Sequence, residues 1–63
     1  MVERTYYFPA NEFGRNVLNS IVNRIACSIG TIRKVKDNFA VQITVQKHDV
    51  TMIERLLQRY DLL

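Results

Sequence analysis

Hydrophobic and polar residues recur at two different periods along this chain, and each change of period marks an element. Val2, Arg4, Tyr6 and Phe8 alternate with Glu3, Thr5 and Tyr7. This is the period-two pattern of a strand with one buried face, in a segment rich in β-forming residues. Pro9 has no amide for a ladder and ends the strand. From Phe13 the spacing becomes three and four, and Phe13, Val17, Leu18, Ile21, Val22, Ile25 and Ile29 cover roughly half of a helix at 100° per residue. Asn11 is the expected N-cap, with Glu12 toward the positive end of the helix dipole. Gly30 is the expected left-handed residue that closes the helix.

Thr31 to Lys36 then predicts a short polar strand. Its apolar residues Ile32 and Val35 stand three apart, so a bulge near Arg33 and Lys34 is needed to turn both to one face. Asp37 and Asn38 tolerate positive φ and predict a two-residue hairpin turn. Beyond it Phe39, Val41, Ile43 and Val45 alternate with Ala40, Gln42, Thr44 and Gln46, the clearest strand in the sequence. A second helix is expected from Asp49 or Thr51, where Asp49 can cap and Thr51 with Glu54 has capping-box spacing. Its apolar stripe is Met52, Ile53, Leu56, Leu57, Tyr60 and Leu63, and it runs to the end of the sequence.

The order β-α-β-β-α predicts an α+β two-layer sandwich. A right-handed crossover between the first two strands puts both helices on one face and the third strand in the middle of a three-stranded antiparallel sheet, order 1-3-2. This is the ferredoxin-like βαββαβ plan without its last strand, which leaves the outer edge of the first strand unpaired. With 63 residues, the chain is expected to form a single domain over 1–63. A chain this short buries only ~60% of its unfolded surface and leans on disulfides, metals or association. One cysteine, Cys27, and one histidine, His48, give neither an intrachain bridge nor zinc spacing, so no metal or cofactor is expected. Association remains, and a homodimer is the expected partner state.

Charge sharpens this picture. The net +3 is uneven: Phe13 to Lys36 holds five cations (Arg15, Arg24, Arg33, Lys34, Lys36) and no acid, a net +5, while the other residues sum to −2. The longest uncharged stretch, Asn38 to Gln46, is nine residues, far below the ~20 of a membrane helix. The start MVERTYYFP has no signal-like apolar run. No membrane partner is expected, and a lone thiol suits a reducing, cytoplasmic setting.

Two surfaces draw attention. Opposite its apolar stripe the first helix carries Asn16, Asn19, Ser20, Asn23 and Cys27 in place of charged residues; such a face is either simply solvated or the centre of a protein contact. Arg15 and Arg24 flank the stripe and shield the core edge. The open sheet face would present Glu3, Thr5 and Tyr7, then Ala40, Gln42, Thr44 and Gln46, then Arg33, Lys34 or Lys36. Tyr7 is its only aromatic, where stacking of nucleobases needs such platforms. Three readings follow: a solvated sheet with a lysine-guarded edge, a dimer in which the small Ala, Thr and Gln side chains pack this face on a symmetry mate, with Thr5 and Tyr7 in the interface, or a nucleic-acid surface using Arg33, Lys34, Lys36 and Tyr7.

Catalysis has little support. His48 beside Asp49 lacks a nucleophile, and Cys27 sits away from a helix N-terminus, so no activated thiol is expected. Gly14 is more informative: on the apolar side of the first helical turn glycine costs ~1 kcal/mol relative to alanine. Something must approach closely there, either a strand or a ligand meeting the free amides.

The run Asn11-Glu12-Phe13-Gly14-Arg15-Asn16-Val17-Leu18-Asn19-Ser20-Ile21 resembles the acid-x-x-Gly-x-Leu-x-x-Ile start of ACT-type regulatory domains, with one extra residue between Gly14 and Val17-Leu18. The resemblance implies a ferredoxin-like plan, edge-to-edge pairing, and a small-molecule effector at Glu12 and Gly14. The expectation is therefore a non-enzymatic binding or regulatory module that works through homo-oligomerisation and contact with a protein partner. Nucleic-acid binding through Arg33, Lys34 and Lys36 is the alternative.

Overall fold

The computed structural model describes residues 1–63. Strand β1 (Val2–Pro9) leads to helix α1 (Glu12–Arg24), strands β2 (Cys27–Val35) and β3 (Asn38–Val45), a 3-10 turn at Lys47–Asp49, and helix α2 (Val50–Arg59). The sheet is antiparallel with order β1-β3-β2. Both helices lie on one of its faces, the α+β sandwich that the alternation of β1 and β3 implies. Tyr6 and Phe8 of β1, Val41, Ile43 and Val45 of β3, Val17 and Ile21 of α1 with Ile25 just after it, and Ile53 and Leu57 of α2 form one core. Each such side chain contributes roughly 1.5–3 kcal/mol by burial. Only 12 of the 63 residues are buried, so the core has few side chains to lose.

The middle of the chain departs from the sequence pattern. Helix α1 stops at Arg24, and Ile25 is extended at φ −126, ψ 129. Cys27, Ser28, Ile29 and Gly30 belong to β2, and neither glycine has a positive φ, so Gly30 is not a helix-closing residue. Ile25 and Ile29 satisfy helical spacing, but Cys27 and Ile29 also alternate. Pairing opposite Val45 and Ile43 gives them a ladder and apolar neighbours together, and tertiary pairing overrides local spacing.

The bulge lies at Gly30 and Thr31, between the pairs Ile29↔Ile43 and Ile32↔Val41, and not at Arg33 and Lys34. It keeps Ile29 and Ile32 on the helix-facing side and leaves Val35, opposite Asn38, on the other. The hairpin turn is Lys36–Asp37, one residue earlier than the sequence suggests, with Lys36 at φ 57, while Asn38 opens β3. Gln46 lies beyond β3 and precedes the 3-10 turn.

Helix α2 starts at Val50 without a side-chain cap from Asp49. Thr51 and Glu54 lie inside it, so no capping box forms; the Tyr6 hydroxyl instead donates to Glu54 Oε2 at 3.1 Å. The stripe is centred on Ile53 and Leu57, with Val50 and Leu56 half-buried, while Met52 and Leu63 are exposed. The helix ends at Arg59 and does not reach Leu63. The Leu62 amide donates to the Leu57 carbonyl at 2.9 Å and the Asp61 amide to Gln58 at 3.1 Å, with Asp61 at φ 59. This is the Schellman arrangement with aspartate in the position glycine usually takes. Phe13 and Tyr60 meet edge to face at 5.8 Å between centroids and join the helices. Neither helix is long and apolar enough to cross a membrane.

Two predictions follow from these ties. Left-handed backbone costs a non-glycine residue about 1–2 kcal/mol, and glycine's extra unfolded freedom returns part of that gain. Asp61→Gly is therefore expected to raise stability by about 0.5 kcal/mol, read from the urea midpoint; a lower midpoint would refute the αL cap. Burial first, then the hydrogen bond and charge of Glu54, push the Tyr6 phenol up to about 12 from its ordinary 10.0. Because the folded value is raised, the stabilisation is present below pH 10 and is lost as pH climbs toward 12. Tyr6→Phe should cost about 1 kcal/mol at pH 7, and urea titrations should show its deficit shrinking above pH 10.

Candidate functional site

The junction between β1 and α1 is built on backbone contact. Asn11, at φ −148 and ψ −176, accepts the Gly14 amide on its side-chain oxygen at 2.9 Å, and its carbonyl accepts the Arg15 amide at 3.1 Å. A Cβ on Gly14 would overlap the Pro9 carbonyl oxygen and come within 2.8 Å of its carbon. The close approach required by this glycine is made by the strand's own backbone, and its amide is occupied by the cap. Glu12 is exposed at the helix start, while Gly14 is buried beneath Pro9. These two residues do not line a common pocket.

On the open sheet face, Thr5, Thr31, Arg33, Ala40 and Gln42 line a shallow polar depression of about 320 Å³. Tyr7 and Arg33 both stand opposite Ala40, one from each neighbouring strand. Directly opposed residues share a face, so Lys34, opposite Phe39, turns toward the helix side. Lys36 sits in the hairpin turn. The structure thus sends Arg33, Lys34 and Lys36 to three different places, and only Arg33 joins Tyr7. Asn16, Asn19 and Asn23 are exposed on α1, on the opposite side of the molecule from Thr5 and Tyr7; Cys27 has left that face for β2. A single two-fold contact between flat faces can bury one of these two sets.

The two edges of the sheet differ. Strand β1 pairs with β3 without interruption from Val2↔Val45 to Pro9↔Asn38, and Thr5 to Phe8 are uncharged. Strand β2 is broken by the Gly30–Thr31 bulge and carries Arg33 and Lys34, with Lys36 in the turn beyond. Bulges and charged side chains are among the devices that keep an edge from pairing; β1 has no bulge, and its charged residues, Glu3 and Arg4, lie in its first half, with Pro9 at its end. Its outer edge is the less protected of the two from Thr5 to Phe8.

The helix-facing side of β2 is also uncovered at its hairpin half. Ile32 is 51% exposed although its partner Val41 is 1% exposed. Phe8, Leu18, Ile32, Phe39 and Val41 enclose a groove of about 220 Å³, with Gly14 and Arg15 of α1 along one side. Sequence reasoning did not find it, because the exposure of Ile32 depends on where α1 lies. Elsewhere, His48 Nε2 lies 3.5 Å from Asp49 Oδ1 and is 79% exposed, in open solvent with no nucleophile beside it. Burial pushes the Cys27 thiol up, so it remains a thiol at neutral pH. No protein-family model, curated protein or solved structure matches the chain.

The junction supplies a test. Gly14→Ala must displace backbone, and overpacking of this kind costs about 3 kcal/mol. At Gly30 the one close contact of an added Cβ is the Gln42 side-chain oxygen at 2.9 Å, the Gln42 backbone oxygen being at 3.5 Å; that side chain can swing away, so Gly30→Ala should cost less than about 1 kcal/mol. Equal losses of thermal stability in the two variants would show that the Pro9 contact is not the constraint.

Proposed function

We propose that this protein is a non-enzymatic association module in which two copies pair through the outer edges of β1 and present the rest of the dimer to a protein partner. The observation that carries this reading is the contrast between the edges: β1 is unbroken and is uncharged from Thr5 to Phe8, whereas β2 is bulged and cationic. Antiparallel pairing of β1 with itself is an isologous contact and gives a six-stranded sheet, order 2-3-1-1-3-2. With Thr5 opposite its own copy, Glu3 faces Tyr7 and Arg4 faces Tyr6, so no like charges meet. The small buried core supports the same reading, since pairing removes further surface from water. The resemblance of Asn11 to Ile21 to ACT-type domains, which commonly pair edge to edge, agrees with it.

Sedimentation equilibrium tests the proposal directly. The wild-type chain is expected to be a dimer at micromolar concentration. Thr5→Lys sets two ammonium groups across the two-fold at an exposed position, and is expected to give a folded monomer. Arg33→Glu, on the guarded edge, should leave the dimer intact. A folded wild-type monomer at micromolar concentration would sink the reading.

A further inference from the structure

We infer that the groove between α1 and the hairpin half of β2 is a docking site for a protein segment that inserts one or two apolar side chains and carries carboxylates beside them. The inference goes beyond the dimer, because the groove opens on the helix-facing side, away from the outer edge of β1, and needs no second copy to form.

Size sets the first limit on the occupant. Small-molecule sites are usually about 300–1,000 Å³, and this groove is about 220 Å³. That space suits side chains of a docked segment better than a whole ligand. The lining supplies apolar contact from both sides: Leu18 from α1, Ile32 and Phe39 from the hairpin. Val22, one turn beyond Leu18, is 43% exposed and extends the apolar flank along the helix. Segments that lay apolar anchors into a groove of this type gain most of their affinity from a few such side chains.

Charge sets the second limit. Arg15 borders the groove on α1, and Lys34 stands on the same sheet face as Ile32 and Phe39, one step nearer the turn. Neither forms an ion pair, for the chain's single ion pair is His48–Asp49. Glu12 and Asp37, the acids nearest in sequence, do not line the groove. The one charged residue that lines the groove is therefore an unpaired cation, Arg15, and Lys34 stands outside the lining on the same sheet face, opposite Phe39. Complementary charge selects partners and speeds their encounter, so the fitting segment is acidic and apolar. A second copy fits poorly, because an isologous contact across this groove would bring the cations beside it, Arg15 and Lys34, toward those of the partner copy with no acid in the lining to offset them. Nucleic acid fits poorly too, since the lining is apolar and Arg33 lies on the opposite face.

The test uses the full chain as bait for a phage-displayed library of random twelve-residue peptides, panned at low salt. Enriched peptides are expected to combine Leu, Ile or Phe with Asp or Glu. Their synthetic forms should bind about tenfold more weakly to Ile32→Glu and to the double variant Arg15→Glu/Lys34→Glu, and binding should weaken as salt rises. All three positions are exposed, and circular dichroism checks that the variants stay folded. Thr5→Lys should bind the peptides as wild type does, so loss of the dimer and loss of docking are read separately. The inference is overturned by any of four results: no enrichment, enriched peptides without acidic residues, binding that Ile32→Glu leaves unchanged, or conversion of a wild-type dimer to monomer by Ile32→Glu. The last would assign the groove to a second copy.

Discussion

The carbonyl of Pro9 lies where any side chain at position 14 would have to be, and the rest of the architecture depends on that contact. Strand β1 must stop at Pro9, and the chain reverses through Ala10 and Asn11 before α1 begins. The Ala10 amide donates to the Asp37 carbonyl at 2.9 Å, which ties the reversal to the hairpin, while Asn11 caps the helix. Glycine in a first turn costs helix propensity, but here it lets the helix start lie against the strand end. From that position Val17 and Ile21 reach the sheet. A Cβ would lift the helix start and open the core above Phe8.

Once α1 is anchored there, the cover over the sheet is decided. Helix α2 is held to β1 by Tyr6 and Glu54 and to α1 by the Phe13–Tyr60 contact. The helices therefore stand together toward β1 and β3. At 1.5 Å per residue α1 is roughly 20 Å long, whereas the nine residues of β2 at ~3.3 Å span about 30 Å. One short helix cannot shield the full length of that strand, and Ile32 is left without a cover. The groove is thus a consequence of the Gly14–Pro9 contact and of unequal element lengths.

Much of the fold was legible because β1 and β3 alternate without ambiguity, and strict alternation of Tyr6-Phe8 and Val41-Ile43-Val45 leaves one way to face a core. The boundary of α1 was not legible because Ile25 and Ile29 fit a helical stripe while Cys27 and Ile29 fit a strand equally well. Only the partners Val45 and Ile43 separate the two, and they are distant in sequence. The shifted bulge then changed which face each β2 residue takes, since a slip of one residue reverses every side chain. That is why Arg33, Lys34 and Lys36 seemed to share a surface and do not. Gly14 announced a close approach through its chemistry, but the approaching group was tertiary information. Asp61 showed no sign of its left-handed backbone, because aspartate there does the work usually left to glycine.

The cations of the central segment bear on two separate surfaces. Edge protection accounts for Arg33 and Lys36, which lie on the open face of β2 and in its turn, where a second strand would otherwise approach. It does not account for Arg15, which lies on a helix and guards no edge. Nor does shielding of the core suffice, because the groove beside Arg15 remains open and Ile32 remains half in water. Lys34 belongs to the guarded strand but faces the same side as Ile32 and Phe39. A lone exposed isoleucine needs no explanation; an exposed isoleucine within an apolar groove bordered by Arg15, with Lys34 on the same sheet face and neither cation in an ion pair, has one when a segment of opposite charge is seated there. The guarded edge thus keeps β2 from pairing, and the freedom this leaves on its helix-facing side is what makes the groove accessible. The pairing proposed at β1 and the docking proposed beside β2 use different strands of the sheet, so neither excludes the other.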